Sequence, residues 1–503
     1  MTANVGPVWR RGTIALLTTL ALVAALVGCS NEQPEQRKTT PAAADYAQTM
    51  RQKVSTEAMY AHLEKLQQIA DANGGNRAVG TPGYDASVEY IVDTLRDKGF
   101  DVQTPEFNFR QFDAGEVSLS VSGATVPAAV LQYSAGTGAN GVSGPLVAAP
   151  AGNATGCSAA DYGGLQVSGA VALVDRGSCQ FWAKEQAAVQ RGAVGLVIVD
   201  NVDEQKVTGT LGEENDVKIP VVSVSKSDGA RLRTQPGPTT MSVDAKVKML
   251  TARNVIAQTK TGSAQNVVMV GAHLDSVPAG PGINDNGSGV AAVLETAVQM
   301  GASPQIDNAV RFAFWGAEEL GLVGSQKYVS SLDENALKDI ALYLNFDMLA
   351  SPNPGYFTYD GGQSAPQPPG QSAPPVPEGA AGIERTLVSY LTIAGKTAED
   401  TSFDGRSDYD AFTRAGIPTG GLFSGAEDNK SAEQARLWGG TADAPFDPNY
   451  HKPSDTLPHI DRNALGINGD GVAYVVALYS QDVGGRNGVP VRDNRVRHVL
   501  TGP

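Results

Sequence analysis

The sequence is poor in cysteine, histidine and aromatic residues. Its 503 residues include 3 cysteines, 5 histidines and 6% aromatic side chains. Three cysteines close at most one disulfide, so the fold cannot depend on a framework of disulfide bridges. Hydrophobic residues at 41% and charged residues at 18% predict a folded globular chain rather than a disordered one.

Basic residues are also scarce relative to acidic ones. The chain has 38 Lys and Arg against 53 Asp and Glu, a formal net charge of -15. A protein this acidic repels the phosphate backbone of DNA and RNA. Nucleic acid is therefore not an expected partner.

Acidic residues are absent from residues 1–28, which contain Arg10, Arg11 and an apolar run over residues 13–27. This run is too short for a comfortable membrane span and predicts an export signal. The letters LVGC at residues 26–29 resemble the lipobox of bacterial lipoproteins. That resemblance implies a lipid on Cys29 and an exported protein anchored to the outer face of the cell membrane, with part of it released. An ordinary signal peptide with an incidental cysteine is the alternative.

Cys157 and Cys179 remain once Cys29 is set aside. An exported protein occupies a compartment that permits disulfides. We therefore expect a Cys157–Cys179 bridge, although two separate buried thiols would also fit the sequence.

The chain changes character along its length in a way that predicts several segments. A polar tether over 29–44 follows the signal. Residues 115–248 contain short β-like runs separated by glycine-rich turns, which predicts an inserted β-rich domain. The flanking segments 45–114 and 249–484 alternate helices with continuous apolar strands. This pattern predicts an α/β catalytic domain with a mostly parallel mixed sheet flanked by helices, and residues 485–503 form a frayed tail.

One run inside the insert carries a resemblance of its own. The sequence GAVALVDRGSCQFWAKEQAAVQRGAVGLVIVDN, residues 169–201, is similar to a protease-associated domain. The insert at 115–248 is accordingly expected to adopt that fold.

Three predicted strands end in residue types that commonly bind metals. The first ends in His273, the second in Glu318-Glu319 and the third in Asp347. Each alone is a common strand end or acidic turn, but parallel strands bring such ends to one edge of a sheet. Asp275, two residues after His273, is a candidate carboxylate partner for the histidine ring, since metal-bound imidazoles usually donate their other N–H.

Two loops add Asp285 and His451 to this set. Two histidines and three carboxylates exceed the four ligands of a tetrahedral zinc. Together they suit two zinc ions that share a bridging carboxylate. The sequence therefore predicts a two-zinc site.

Several runs around these residues resemble the secreted di-zinc aminopeptidases of actinobacteria: HLDSVPAGPGINDNGSG, RFAFWGAEELGLVGS, YLNFDMLASPNPGYF, SFDGRSDY and FDPNYHKPSDTL. The resemblance is strong over about 250–480 and looser over 50–110. It departs from some relatives in lacking cysteines around the Tyr450-His451 loop and a recognisable calcium site. It also implies a cis peptide bond after the bridging aspartate.

The resemblance implies a role for each site residue. Asp285 bridges both zinc ions, His273 and Asp347 complete one zinc site, and Glu319 and His451 complete the other. Glu318 is implied as the general base, Tyr450 as a hydrogen-bond donor to the tetrahedral intermediate, and Arg406 as a residue near the substrate.

The expected activity is hydrolysis of the first peptide bond of peptides or proteins that have a free α-amine. A di-zinc carboxypeptidase or dipeptidase and a glutaminyl-cyclase-like enzyme remain alternatives on the same fold. A non-catalytic lipoprotein that binds partners through the insert is a third, and it would be expected to lack metal ligands.

Overall fold

The computed structural model describes residues 40–151, 156–201, 203, 209–365, 375–484 and 488–500. The predicted signal peptide, Cys29 and most of the predicted tether lie outside these ranges. No helix in the described ranges is long and apolar enough to cross a membrane.

Sixteen strands occur in the described residues. In chain order they are β1 Asp101–Gln103, β2 Glu106–Val121, β3 Ala124–Thr125, β4 Ala129–Val130, β5 Val142–Ala148, β6 Val171–Asp175, β7 Gly195–Val199, β8 Val221–Val224, β9 Pro238–Arg253, β10 Val255–Gln258, β11 Ser263–His273, β12 Asn308–Trp315, β13 Ile340–Phe346, β14 Phe357–Tyr359, β15 Glu399–Thr401 and β16 Thr419–Phe423.

Twelve α-helices accompany these strands in the described residues. They are α1 Pro41–Lys53, α2 Thr56–Ala72, α3 Pro82–Asp97, α4 Phe181–Gln190, α5 Lys226–Thr234, α6 Gly289–Met300, α7 Val323–Ser330, α8 Glu334–Asp339, α9 Ala380–Ile393, α10 Tyr409–Arg414, α11 Ala432–Trp438 and α12 Arg462–Gln481.

The first sheet has eight strands in the order β1-β10-β12-β11-β13-β16-β14-β15. Its four central strands, β12-β11-β13-β16, are mutually parallel, while β1, β10 and β14 add antiparallel pairings. Every residue of β13 is buried, as expected for a strand covered on both faces. The predicted mostly parallel mixed sheet is confirmed.

Helices cover both faces of this sheet. Val268 and Val270 of β11 belong to the core that contains buried residues of α2, α3, α6, α9 and α12. Val267 and Met269, which alternate with them, belong to a second core that includes Phe412 of α10 and residues of α7 and α8. Successive side chains of a strand point to opposite faces, so the two cores lie on opposite sides of the sheet.

The second sheet also has eight strands, in the order β3-β2-β9-β5-β6-β7-β8-β4. Its strands β5, β6, β7 and β8 are parallel, and α4 lies between β6 and β7. The insert is joined to the rest of the chain by β2 and β9, which pair antiparallel from Glu106↔Arg253 to Val121↔Thr239. The boundaries predicted at 114/115 and 248/249 fall within this ribbon and stay predictions.

The predicted disulfide between Cys157 and Cys179 is present, with 5.9 Å between the Cα atoms. It ties the segment before the second sheet's β6 to the turn that leads into α4. The bridge therefore lies wholly within the insert.

Both ends of the described chain are more ordered than the sequence suggests. The tether predicted to reach residue 44 is shorter, since α1 begins at Pro41 with Thr40 as its N-cap. The tail is not frayed over residues 488–500. Arg495 donates to the carbonyl of Lys338, and Arg497 donates to the carbonyl of Ile340, so the tail is fixed against the start of β13.

Arg77 is the buried residue that holds the loops after β11 in place. Its side chain is fully buried and donates to the carbonyls of Leu274, Pro281 (2.8 Å) and Gly282 (2.6 Å). Burial is the main cause that lowers the pKa of its guanidinium to about 10, so it stays charged at neutral pH. Sequence analysis assigned no role to this residue.

Replacing Arg77 by Met would keep a long side chain but remove the guanidinium donors to the three carbonyls. We expect the free energy of unfolding to fall by about 3–5 kcal/mol, because the buried carbonyls lose charged donors. Urea unfolding followed by circular dichroism measures this loss. The control is Arg96→Met, on the exposed side of α3. Equal midpoints for the two variants would contradict the role of Arg77.

Candidate active site

The carboxyl ends of three central strands place the predicted metal ligands at one edge of the sheet. His273 is the last residue of β11 and lies opposite Trp315, the last residue of β12. Asp347 directly follows β13, which is parallel to β11. The parallel order therefore brings His273, Glu318-Glu319 and Asp347 together, as the sequence predicted.

The backbone turns sharply at the residues beside these ligands. Ala317 (φ 60°), Met348 (φ 55°) and His451 (φ 57°) adopt the left-handed conformation although none is glycine. Such a conformation costs about 1 kcal/mol or more for each of these residues. The surrounding packing imposes these turns, which aim Glu318, Asp347 and the His451 ring into the site. The Asp285–Asn286 peptide is cis, as the family resemblance implied.

Two groups of potential ligand atoms meet at Asp285. His273 Nε2 lies 3.2 Å from Asp285 Oδ1 and 3.3 Å from Asp347 Oδ1. His451 Nε2 lies 3.1 Å from the other oxygen, Asp285 Oδ2, and 3.0 Å from Glu319 Oε2. Within each group the atoms are close enough to one another to hold a metal ion, and Asp285 belongs to both groups.

Electrostatics at this edge of the sheet show an excess of negative charge. Burial is the main cause that raises the pKa of Glu319 to about 7, and Asp285 adds to it. Burial also raises the pKa of Glu318 well above its usual range. Burial opposes charge on His451, but its contacts with Asp285 and Glu319 outweigh this and raise its pKa to about 10. Four carboxyl groups thus lie close to only two imidazole rings, those of His273 and His451.

The donor set fits divalent cations. Glu319 Oε1 is buried and accepts no hydrogen bond from any described residue. Asp347 Oδ1 is also buried and has the His273 ring nitrogen 3.3 Å away, but accepts no hydrogen bond from a described residue. A buried carboxylate oxygen without a partner is costly, and a bound cation removes that cost. Imidazole nitrogens mixed with carboxylate oxygens are a ligand set that zinc accepts.

Asp275 contacts His273 differently from the prediction. The hydrogen-bond partner of His273 Nδ1 is the backbone carbonyl of Asp275, at 3.1 Å, and the carboxylate lies 3.8 Å away. The carboxylate instead accepts the backbone N–H groups of Glu318 (3.2 Å) and Glu319 (3.4 Å). Asp275 therefore fixes the histidine ring through its backbone and the two glutamates through its side chain.

Asp455 and Ser407 support the site and were missed by sequence analysis. Asp455 accepts the backbone N–H groups of Asn284 (2.8 Å) and Asp285 (3.0 Å) with its two oxygens. Ser407 Oγ donates to Asp347 Oδ2 at 2.7 Å. Both lie within the family-like runs FDPNYHKPSDTL and SFDGRSDY. Serine hydroxyls and single acidic residues occur in many structural roles. Their spacing in the sequence therefore does not predict that these two support the site.

Tyr450 and Arg406 lie at the rim of the site. Arg406 Nη2 donates to Tyr450 OH at 3.3 Å and to Glu427 at 2.8 Å. The Tyr450 ring stacks on His451 with 3.8 Å between ring centroids, and burial is the main cause that raises the pKa of its hydroxyl, which therefore keeps its proton. Tyr450 is thus a neutral donor beside the ligand groups.

The histidines outside the site have other contacts. His62 lies between Tyr90 OH (2.5 Å) and Glu295 (3.1 Å), and the exposed His459 contacts the carbonyl of Ser454 at 2.7 Å. Neither belongs to the groups that meet at Asp285.

A cavity of about 350 Å³ opens above the ligand groups. His273, Asp285, Glu318 and Asp347 line its floor, while Arg406 and Tyr450 line its rim. This volume is at the small end of ligand pockets, roughly 300–1,000 Å³. It suits one amino-acid residue and the bond that follows it better than a long chain.

Comparisons with known proteins give consistent results. The family model described as peptidase family M28 matches residues 254–476, and the PA domain model matches residues 142–232. The "Probable lipoprotein aminopeptidase LpqL" of Mycobacterium tuberculosis is 67% identical over 492 residues, which cover 97% of this chain and 98% of that protein.

Solved structures show the same fold. An aminopeptidase from Aneurinibacillus sp. strain AM-1 matches with a TM-score of 0.62 and 28% identity, over 86% of this chain and 96% of that one. A zinc aminopeptidase from Bacillus subtilis matches with a TM-score of 0.54 and 26% identity, over 86% and 98%. The family model and the 67% identity over nearly the whole chain show that this chain belongs to peptidase family M28 and carries a PA domain.

Proposed function

We propose that this protein is a zinc-dependent aminopeptidase that removes the first residue from peptides with a free α-amine. The observation that carries the proposal is the pair of ligand groups sharing Asp285, with the Glu318 carboxylate 4.0 Å from His273 Nε2. The names of the relatives, two aminopeptidases and a lipoprotein aminopeptidase, support the reaction class.

Two zinc ions would be held by five side chains. His273 and Asp347 would bind one, Glu319 and His451 the other, and Asp285 both. When bound, zinc would lower the pKa of a water molecule and would polarise the carbonyl group of the substrate.

Glu318 is proposed as the general base. It is buried beside the ligand groups, yet it is not itself a member of either group. Asp275 fixes its backbone N–H, so its carboxylate keeps a defined position. Glu318 takes a proton from the attacking water and returns it to the leaving amine.

Tyr450 and the acidic groups would act on the substrate itself. The Tyr450 hydroxyl donates a hydrogen bond to the oxyanion of the tetrahedral intermediate. Carboxylates lining the cavity hold the positive α-ammonium group of the substrate, which explains a requirement for a free N-terminus. Arg406, held by Glu427, orients the Tyr450 hydroxyl.

No observation favours the alternative of a carboxypeptidase. That activity needs a cation that anchors the substrate's terminal carboxylate. Arg406 forms an ion pair with Glu427 at 2.8 Å, so its charge is already compensated. The presence of the complete ligand set likewise disfavours a non-catalytic binding module.

We also propose that a lipid on Cys29 anchors the exported protein to the outer face of the cell membrane. The lipobox-like residues and the similarity to a protein described as a lipoprotein support this proposal. The lipobox-like residues lie outside the described residues, so the proposed anchor rests on the sequence and on that similarity.

The first test uses the zinc-loaded full-length chain in detergent with leucine p-nitroanilide and its N-acetyl derivative. We expect hydrolysis of the free-amine substrate only. Glu318→Gln should lower kcat by about 10²–10⁴-fold because the proton acceptor is lost, while its zinc content stays unchanged. Glu433→Gln, on the exposed surface of α11, is the matched control. Equal cleavage of the acetylated substrate would refute the aminopeptidase proposal.

Metal stoichiometry tests the shared role of Asp285. We expect about two zinc ions per chain in the wild type by atomic emission, because five ligands exceed a single tetrahedral site. Asp285→Ala should lose most of both ions, since it removes a ligand common to both groups. His459→Ala should keep them, and a wild type with a single ion would contradict the bridging arrangement.

Substituting Tyr450 with Phe separates its hydroxyl from its ring. Since the bond to the oxyanion exists only after attack, we expect kcat to fall by about 10- to 100-fold with KM little changed. Steady-state kinetics on leucine p-nitroanilide measure both constants. A rise in KM at constant kcat would instead assign Tyr450 to ground-state binding.

A further inference from the structure

A second cavity adjoins the active site and is shared between the insert and the peptidase part. Its volume is about 780 Å³, more than twice that of the active-site cavity. Tyr133, Trp182 and Leu211 line it from the insert, and Val323 and Gln326 of α7 line it from the opposite side. The two sides are linked by an ion pair between Lys327 and Glu214 at 3.8 Å.

The two cavities meet at Gly321, which lines both. Its φ of 105° is a conformation that side chains rarely adopt, and a Cβ there would project into space free of other atoms within 4 Å. Gly321 itself therefore places no side chain at the border between the cavities.

Gly321 is also fixed to the proposed general base. Its N–H donates to the backbone carbonyl of Glu318 at 2.8 Å. Glu318 returns its proton to the leaving amine, so the leaving part of the substrate lies on the side of Glu318. Gly321, which lines both cavities, thus lies on the side of the group that leaves.

We propose that the second cavity binds the substrate segment that follows the scissile bond. This inference rests on the proposed aminopeptidase function. The active-site cavity suits the first residue, and the remaining chain must leave it in an extended form of about 3.3–3.6 Å per residue. Gly321 lines both cavities, so a chain that leaves the first cavity past this residue enters the second.

The chemistry of the second cavity suits a peptide with apolar side chains. Phe181 and Trp182 at the start of α4, together with Tyr133, form an aromatic wall. Leu211 and Val323 add apolar surface to the same lining. Aromatic rings offer large contact areas to apolar side chains. The insert is thereby a substrate-binding element.

The test compares leucine p-nitroanilide with the peptides Leu-Ala, Leu-Ala-Ala and Leu-Ala-Phe-Ala-Phe-Ala on the zinc-loaded full-length chain. Binding energy gained away from the scissile bond raises kcat/KM. We expect kcat/KM for the hexapeptide to exceed that for Leu-Ala by about tenfold or more, as expected for one or two aromatic contacts. Equal values for all the lengths would overturn the proposal.

Two variants change opposite walls of the second cavity. Trp182→Ala removes an aromatic surface, and Gln326→Trp fills the space from α7. Each should lower the ratio of the hexapeptide kcat/KM to the leucine p-nitroanilide kcat/KM by about tenfold. Met249→Ala, 65% exposed and lining neither cavity, should leave that ratio unchanged. A ratio unaffected by Gln326→Trp would overturn the proposal even if Trp182→Ala failed to fold.

Binding measurements separate this inference from the proposed function. Calorimetry on the Glu318→Gln protein reports hexapeptide affinity without turnover. In one outcome, the wild type hydrolyses none of the substrates, while Gln326→Trp weakens hexapeptide binding in the Glu318→Gln background. The proposed function then fails and the cavity assignment stands. If leucine p-nitroanilide is hydrolysed and Gln326→Trp leaves hexapeptide affinity unchanged, the function stands and the cavity assignment fails.

Discussion

The carboxylate of Asp285 is the group on which the arrangement of the site depends. One of its oxygens faces His273 at the end of β11, and the other faces His451, which lies far away in the sequence. The loop that carries it is fixed from two sides, by Asp455 at its backbone N–H groups and by Arg77 at the preceding carbonyls. Because both ligand groups include Asp285, a shift of this loop would disturb both at once.

The arrangement around this carboxylate is locally unfavourable in free energy. Four acidic side chains crowd around two imidazoles in a largely buried place, and three neighbouring residues adopt left-handed backbone conformations. Such costs are typical of sites whose geometry is imposed by packing. Buried parallel strands, covered by helices on both faces, provide the rigid frame that imposes it.

The insert is joined to this frame by the long antiparallel pair β2 and β9, which keeps it at a fixed place beside α7. In that position the insert forms one wall of the second cavity, which adjoins the proposed general base. In this arrangement the peptidase part would catalyse hydrolysis, and the insert would bind the rest of the substrate. The preference for long or short peptides would then be determined mainly by the insert.

Local residue patterns determined much of this protein. Continuous apolar runs predicted the buried parallel strands, and strand ends that carry His273, Glu318-Glu319 and Asp347 predicted where ligands gather, because parallel strands place their carboxyl ends at one edge. The tertiary structure alone decided the roles of Arg77, Asp455 and Ser407, the acceptor of the His273 ring, and the cavity at Gly321. These depend on contacts between residues distant in sequence, and a single polar side chain or glycine does not reveal its partner until the chain has folded.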